Sequence, residues 1–262
     1  MLSAKQLRVR YKDKLIISGL DIAFETGKVY SILGPNGCGK STLLKALAKQ
    51  LSVHSGTILL DNIDIQEWGP KPFAKILAFL RQSYDQMIDV HVRDLVTYGR
   101  FPHKRFLQQV DKEDEQIIDW ALQLTNLTHL AKRKMSSLSG GERQRAWIAM
   151  ALAQQPRILL LDEPTTYLDI VHQLEIMELI QQLNQQFHIT VIMVLHDLNH
   201  ASLYSDYVIV LKEGSIFRCG TPEQVMNEET LKKAFGVDAK IETDEESNRP
   251  YIRSLKLGSR SS

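Results

Sequence analysis

One short segment near the start of the chain constrains its fold most strongly, because it matches the phosphate-loop pattern G-x-x-x-x-G-K-[ST]. The segment consists of Gly34, Pro35, Asn36, Gly37, Cys38, Gly39, Lys40, Ser41 and Thr42. A strand-like apolar run over 29–33 precedes it, and leucines at helical spacing follow it over 41–51. Loop amides in this setting face phosphate groups at the positive end of the helix, Lys40 reaches the β- and γ-phosphates, and the Ser41 hydroxyl binds Mg²⁺. The segment therefore predicts a nucleoside triphosphate site, the alternative being an ordinary glycine-rich turn.

Composition narrows the class of protein. The 262 residues suit one large α/β domain or one domain with an inserted subdomain, and 44% apolar residues are ample for a core. A net charge of +1 gives no strong field that would favour nucleic acid or an anionic membrane. Cys38 and Cys219 cannot form a disulfide framework. No signal peptide is visible, and apolar runs such as 158–161 and 191–195 have strand length. We expect a soluble, cytoplasmic protein, so another chain must supply any membrane span.

A second motif lies over 157–163, where a run of buried-type residues ends in Asp162 and Glu163. At the carboxyl edge of a parallel sheet, two such acids face the nucleotide crevice. Asp162 is expected to hold Mg²⁺, and Glu163 is the natural general base for the water that attacks the γ-phosphate. The alternative is a surface turn that carries two acids.

A third motif, LSGGERQ over 138–144, opens a helical run that ends before Pro156. Ser139, Gly140 and Gly141 at a helix N-terminus make a further anion site, with free amides, a hydroxyl and a favourable dipole. The chain therefore carries two sites suited to a γ-phosphate but only one phosphate loop. A simple interpretation is that the second site serves ATP bound by a different copy.

The strand pattern indicates an α/β fold. Short strands are predicted within 5–33, and a hairpin over 57–66 with Asp61 and Asn62 at its turn. Further on, buried strands alternate with helices, which favours a parallel sheet with crossover connections.

Helical patterns dominate 83–155, which resembles an insertion and includes an amphipathic segment over 113–125. A later helix is predicted to begin after Asp169 as its N-cap. Its apolar stripe is predicted to lie in the core and consists of Ile170, Leu174, Met177, Ile180 and Leu183. Residues 242–250 are polar and predicted to form a loop.

Together, the three motifs resemble the signature of ABC transporter ATPase subunits over roughly residues 3–225. The resemblance implies a P-loop NTPase fold with a RecA-like core, an N-terminal antiparallel β subdomain and an inserted helical subdomain. The core with the β subdomain is then expected over about 3–82 and 156–225. The helical subdomain is expected over about 83–155, and a C-terminal extension over about 226–262.

The resemblance also implies roles for single residues. Tyr11 matches the aromatic that stacks on adenine, and Gln82 matches the glutamine that links Mg²⁺ or the attacking water to the membrane partner. Asp169 matches an aspartate that communicates between two sites, and His196 matches the switch histidine near the γ-phosphate. Contacts with the nucleotide across a dimer are implied for the signature residues Ser139, Gly140, Gly141 and Glu142. The plain alternatives are a half-exposed strand tyrosine, an ordinary polar glutamine and an incidental histidine.

A narrower resemblance concerns importers of ferric siderophores, haem and cobalamin, and is nearest to bacterial ferric-siderophore importers. It rests on VRDLV and YGRFPH within 92–103, on DEPTTYLDIVHQL over 162–174 and on GTPEQV over 220–225. In such systems this region binds the cytoplasmic coupling helices of the permease, so 83–105 is the expected partner surface. The alternative is that GRFPH is a generic loop between helices.

Three positions depart from the usual family pattern. Arg81 stands where a proline often precedes the glutamine, and His91 stands where a threonine is common. Cys38 replaces the more usual serine or alanine in the phosphate loop. Loop amides at a helix N-terminus favour a thiolate, which suggests a redox role for Cys38; the alternative is a small residue that fills the loop.

The resemblance implies the ATP- and Mg²⁺-dependent ATPase subunit of a bacterial importer. It would work as a homodimer at the cytoplasmic face of the membrane, bound to permease subunits and served indirectly by an extracytoplasmic substrate-binding protein. No nucleic-acid partner is expected. A haem or cobalamin importer, an exporter, a non-transport ABC ATPase and a simple kinase are the alternatives.

Overall fold

The computed structural model describes residues 1–11, 14–82, 89–105 and 108–258. Its strands are β1 Leu2–Tyr11, β2 Lys14–Phe24, β3 Val29–Leu33, β4 Ser55–Leu60, β5 Ile63–Asp64, β6 Leu77–Leu80, β7 Ile158–Asp162, β8 Thr190–Val194, β9 Tyr207–Lys212, β10 Ser215–Gly220, β11 Val237–Thr243 and β12 Pro250–Leu257. Its α-helices are α1 Lys40–Leu47, α2 Pro70–Ile76, α3 Val92–Tyr98, α4 Lys112–Leu124, α5 Gly140–Ala153, α6 Ile170–Phe187, α7 Leu198–Tyr204, α8 Pro222–Val225 and α9 Glu228–Phe235. These elements confirm the predicted α/β class.

The chain forms two compact units. The first unit contains Met1–Glu67 and Thr190–Ser262, and the second contains Trp68–Ile189. This division is based on which residues pack together. The predicted subdomain limits near 82, 155 and 225 are based on the order of the motifs, and they stay a prediction.

The first unit begins with an antiparallel sheet of strand order β2-β1-β4-β5. The predicted hairpin is present, because β4 and β5 pair through Leu60 and Ile63. Its turn residues Asp61 and Asn62 have φ values of 52° and 65°. Asp and Asn tolerate this left-handed conformation better than most residues, which explains why the turn forms at these two positions.

Parallel strands make up the other sheet of the first unit. β3 pairs with β8 on one side and with β9 on the other, in parallel register. All five residues of β3 and of β8 are buried, as expected for strands that are covered on both faces. The carboxyl ends of these neighbouring strands therefore lie at one edge of the sheet.

The second unit combines the parallel pair β6 and β7 with helices α3, α4 and α5, which pack on one another. Arg100 and Asp114 form an ion pair inside this group, with 2.9 Å between Nε and Oδ1 and side chains that are 5% and 3% exposed. Arg100 also donates through Nη1 to the carbonyl of Ala153 at the end of α5, at 2.7 Å. This buried charge joins the segment after α3 to α4 and to the C-terminal end of α5.

Helix α6 confirms the predicted start, since the Asp169 side chain accepts from the His172 amide at 2.9 Å. The prediction that its apolar stripe is core was wrong for the first two members. Ile170 is 75% exposed and Leu174 is 39% exposed, whereas Met177, Ile180 and Leu183 are buried. Helical spacing places these residues on one face, but burial requires a neighbouring element that covers this face, and the described elements leave Ile170 and Leu174 exposed.

The C-terminal extension is folded. Residues 242–250 were expected to form a loop, but β11 extends to Thr243 and β12 begins at Pro250, so only 244–249 connect the strands. Asp244 stabilises this turn by accepting from the amide of Ser247 at 2.8 Å. The polar composition thus marks the turn of a hairpin.

None of the helices in the described parts of the chain is long and apolar enough to cross a membrane.

The buried ion pair leads to a stability prediction. Arg100→Ala should lower the free energy of unfolding by about 3 kcal/mol, because buried Asp114 then keeps only Lys104 as its cationic partner and the Ala153 carbonyl loses its donor. Arg93→Ala is the matched control, since Arg93 pairs with the exposed carboxylates of Glu115 and Asp119 and should cost about 1 kcal/mol or less. Urea unfolding of both variants measures the difference, and equal losses would contradict the importance of the buried pair.

Candidate active site

The phosphate loop follows β3 in the first unit, and its backbone has a positive φ at positions 34 and 39, which therefore favour glycine. Gly34 has φ 149°, and a Cβ there would lie 2.2 Å from the carbonyl oxygen of Leu211. Gly39 has φ 108°, and its Cβ would lie 2.7 Å from Cδ1 of Ile17. Both conformations are costly for residues with a side chain. Helix α1 then begins at Lys40, one residue before its predicted start, and ends at Leu47, short of the predicted Leu51.

Lys40 is 6% exposed and folds back over the loop that carries it. Its Nζ donates to the carbonyl oxygens of Gly34 at 2.8 Å and of Pro35 at 3.1 Å. The ammonium group is thus held at the loop by neutral acceptors. A phosphate oxygen is a stronger, charged acceptor, so this arrangement suits exchange of the carbonyls for an anionic ligand.

Cys38 is buried, with 6% of its surface exposed. Burial raises the pKa of its thiol, and this effect outweighs the lowering by the nearby Lys40. The thiolate suggested by the loop amides is therefore disfavoured, because removal from water penalises the charged form. Burial and the raised pKa favour the interpretation of Cys38 as a small residue that fills the loop.

His196 lies at the same edge of the first unit's sheet as the phosphate loop. The amide of Leu195, the residue before it, donates to the carbonyl of Ile32 in β3 at 3.2 Å. Asp197, which follows, accepts from the amide of His200 at 2.8 Å and so caps α7. Parallel pairing of β3 and β8 thus brings His196 to the edge at which the loop begins.

In the second unit, Gln82 and Glu163 are in direct contact. Buried strand β7 ends at Asp162, which is 4% exposed, and Glu163 follows with φ 53°. Oε2 of Glu163 accepts from Nε2 of Gln82 at 2.5 Å and from Oγ1 of Thr166 at 3.1 Å. The carboxylate is therefore oriented by two donors. The sequence predicted separate roles for Gln82 and Glu163 but neither their contact nor the part of Thr166.

The signature segment begins α5 with a reciprocal cap. The Ser139 hydroxyl accepts from the Glu142 amide at 3.2 Å, and the Ser139 amide donates to Oε2 of Glu142 at 2.7 Å. The hydrogen bond from the Ser139 amide lowers the pKa of the Glu142 carboxyl. This capping box fixes the first turn of the helix and leaves the Ser139 hydroxyl with a proton to donate.

A group of residues that the sequence analysis did not single out joins α5 to α6. The His172 ring packs against Gly141, and its Nδ1 lies 2.9 Å from Oε2 of Glu175. Glu175 also pairs with Arg145 of α5. The hydrogen bond with His172, supported by Arg145, lowers the pKa of the Glu175 carboxyl. The spacing Asp169-x-x-His172-x-x-Glu175 on one helix was the signal that could have indicated this group.

Comparisons with known proteins agree with these motifs. A family model described as ABC transporter matches residues 17–166. The iron(3+)-hydroxamate import ATP-binding protein FhuC of Bacillus subtilis is 46% identical over 98% of this chain and 95% of its own length. The petrobactin import ATP-binding protein FpuC of Bacillus anthracis is 44% identical, with 98% and 94% covered. The ferric enterobactin transport ATP-binding protein FepC of Escherichia coli is 40% identical, with 96% and 93% covered.

A solved structure shows a similar protein as a dimer. The ATP-binding cassette MJ0796, in a dimeric post-hydrolysis state with ADP and Pi, is 29% identical. It aligns with a TM-score of 0.73 over 84% of this chain and 98% of its own. The chain belongs to the ABC transporter family. It is an ATP-hydrolysing subunit with the α/β, P-loop NTPase fold of ABC ATPases, which confirms the fold class expected from its sequence.

Tyr11 of this ABC ATPase ends β1 and is 61% exposed. An exposed ring offers a face on which a base can stack. Its role as the adenine platform stays a prediction.

The expected permease-binding segment lies partly outside the described residues, since 83–88 are not described. In the remainder, the exposed rings of Tyr98 and Phe101 lie 5.1 Å apart. Burial lowers the pKa of His103, and its Nε2 donates to the carbonyl of Gln154 at 2.9 Å, since a carbonyl oxygen only accepts. This bond and the one from Arg100 attach the aromatic pair to the C-terminal end of α5.

The close approach of Gly141 and His172 predicts a specific steric effect. A Cβ at position 141 would lie 2.5 Å from Cγ of His172, so Gly141→Ala should cost about 2 kcal/mol of unfolding free energy. Gly140→Ala is the control, because the nearest atom to its Cβ would be Cδ2 of Leu168 at 3.5 Å. Adding His172→Ala to Gly141→Ala should restore most of the loss in urea unfolding. Additive losses in the double variant would show that the two residues are not in contact.

Proposed function

We propose that this ATPase powers the import of iron(III)–siderophore complexes through a membrane permease. Support comes from relatives named for import of iron(3+)-hydroxamate and ferric enterobactin, which match this chain over nearly its whole length. The observation that carries the enzymatic part is the Glu163 carboxylate, which Gln82 and Thr166 orient at the end of a buried strand.

In the proposed mechanism, the loop amides of 34–42 and Lys40 bind the phosphates of ATP, while Tyr11 stacks on the adenine. Glu163 orients the attacking water and accepts its proton. Gln82 and Thr166 hold the carboxylate in place for this step. His196 donates a hydrogen bond to the γ-phosphate as charge develops.

The residues that are expected to hold Mg²⁺ have suitable side chains. Ser41, Gln82 and Asp162 offer hydroxyl, amide and carboxylate oxygens, which are the ligands that this hard cation prefers. Asp162 is buried at 4% exposure, as is typical of a carboxylate that is stabilised by partners. Bound there, Mg²⁺ would neutralise phosphate charge.

A second copy of the chain completes the proposed reaction cycle. The Ser139 hydroxyl and the first amides of α5, with Gly140, Gly141 and Glu142 around them, would bind the γ-phosphate of ATP held by the other copy. Asp169, which accepts from the amide of His172, would connect the two ATP sites of this dimer. The dimeric state of the similar cassette MJ0796 supports this arrangement.

The permease is proposed to bind at 83–105, so that the subunit is peripheral at the cytoplasmic face of the membrane. The exposed aromatic pair Tyr98 and Phe101 supports this assignment, because aromatic residues are enriched at the centre of protein interfaces. A substrate-binding protein outside the membrane would select the cargo. No nucleic acid takes part.

Replacement of Glu163 by Gln tests the chemical step. The amide keeps the shape of the side chain but cannot accept a proton, so hydrolysis should fall by at least about 100-fold while ATP still binds. Phosphate release measures the rate, and size-exclusion chromatography with Mg·ATP should show a trapped dimer. The control Glu178→Gln changes an exposed glutamate of α6 and should leave both unchanged. Full activity of Glu163→Gln would refute the assignment of the base.

Uptake tests the cargo. Cells that lack this chain should lose uptake of labelled ferric siderophores, and the intact protein should restore it, whereas Lys40→Ala should not. Haem and cobalamin uptake measured in the same cells distinguishes the alternative cargoes. Unchanged uptake of every iron chelate would overturn the siderophore assignment and leave the ATPase activity intact.

A further inference from the structure

The C-terminal hairpin β11–β12 packs against α7, the helix that follows His196. Leu198, the first residue of α7, contacts an apolar cluster of Leu231 from α9, Ala239 from β11 and Ile252 from β12. The cluster members are at most 8% exposed. The start of α7 is therefore anchored by residues of the C-terminal extension.

Asn199 adds a specific polar connection to the same strand. Its Nδ2 donates to the carbonyl of Ile252 at 3.2 Å, and its Oδ1 accepts from the amide of Ile252 at 2.8 Å. One side-chain amide thus satisfies both backbone groups of a single residue, in the way that a neighbouring strand would. Such a pair fixes the distance and the orientation of α7 relative to β12.

Two further contacts extend this connection along α7. The Ser202 hydroxyl, in a residue that is 1% exposed, donates to the carbonyl of Pro250 at 2.6 Å. Nη1 of Arg249 donates to the carbonyl of Ser205, just after the helix, at 2.7 Å. The hairpin therefore holds α7 at its beginning, its middle and its end.

Only two residues separate His196 from Asn199, and both make defined contacts. Asp197 caps α7, and Leu198 lies in the apolar cluster. A cavity of about 420 Å³ is lined by His196 together with Phe235 and Leu255 of the extension. The extension therefore leaves space beside His196 and restrains this residue through α7.

We propose that the C-terminal extension positions the switch histidine, with Asn199 as the positioning residue. This inference rests on the proposed role of His196 in ATP hydrolysis. Displacement of a catalytic group by about 1 Å can cost about 100-fold in rate, so a hairpin that fixes α7 affects the chemical step from a distance. It assigns a function to residues 226–258, which carry none of the nucleotide motifs.

Asn199→Ala and Ser202→Ala test the proposal in the full-length chain. Steady-state ATP hydrolysis should show kcat lowered about tenfold for Asn199→Ala, with the KM for ATP changed less than about twofold. Ser202→Ala, a smaller change, should lower kcat in the same direction. In both variants, hydrogen exchange of the amides in α7 should become faster. The melting temperature of the protein should stay close to that of the unaltered chain.

Asp238→Asn is the matched control within the hairpin. Asp238 of β11 is 47% exposed, and its carboxylate pairs with Lys232 of α9. This variant should keep the kcat of the unaltered chain.

The His196→Ala variant separates failure of this inference from failure of the proposed function. If His196→Ala is inactive while Asn199→Ala and Ser202→Ala keep full kcat, the positioning role is refuted. If His196→Ala keeps full activity, the role of His196 itself is refuted, and the positioning role with it. Should Asn199→Ala fail to fold, the kcat of Ser202→Ala decides.

Discussion

The path of the phosphate loop depends on how closely its backbone passes β9. Position 34 lies so near the carbonyl oxygen of Leu211 that even a methyl group would overlap it at 2.2 Å. Glycine at this position lets the chain leave β3, turn and begin α1 at Lys40. The placement of Lys40 over the loop carbonyls follows from this turn. A larger residue at position 34 would displace the loop on which nucleotide binding depends.

In the second unit, helix α5 is held by polar contacts at both of its ends. Its N-terminus is fixed by the reciprocal cap between Ser139 and Glu142. Its C-terminal carbonyls accept from Arg100 and His103, which belong to the segment proposed to bind the permease. Helix α5 has 14 residues, so its two ends lie about 21 Å apart.

Much of this organisation was predictable, because it depends on local patterns. The phosphate loop, the acids after β7, the cap at Asp169 and the turn at Asp61 and Asn62 each depend on residues close together in the chain. Contacts between distant residues were not predictable. The bond between Gln82 and Glu163 spans 81 positions, and nothing in either local sequence specifies it. The exposed start of α6 was missed for the same reason, since helical periodicity identifies a face but not what covers it.

The sequence by itself determined the family, the ATP-binding loop and the types of residue that carry the chemistry, because these depend on short motifs with fixed spacing. Tertiary structure alone decided that the Cys38 thiol is buried and its pKa raised, since burial depends on how the folded chain packs around the loop. It also decided that the polar segment near the C-terminus is the turn of a hairpin attached to α7 through Asn199. Strand pairing and burial arise from contacts between distant parts of the chain, and composition does not encode which of those contacts form.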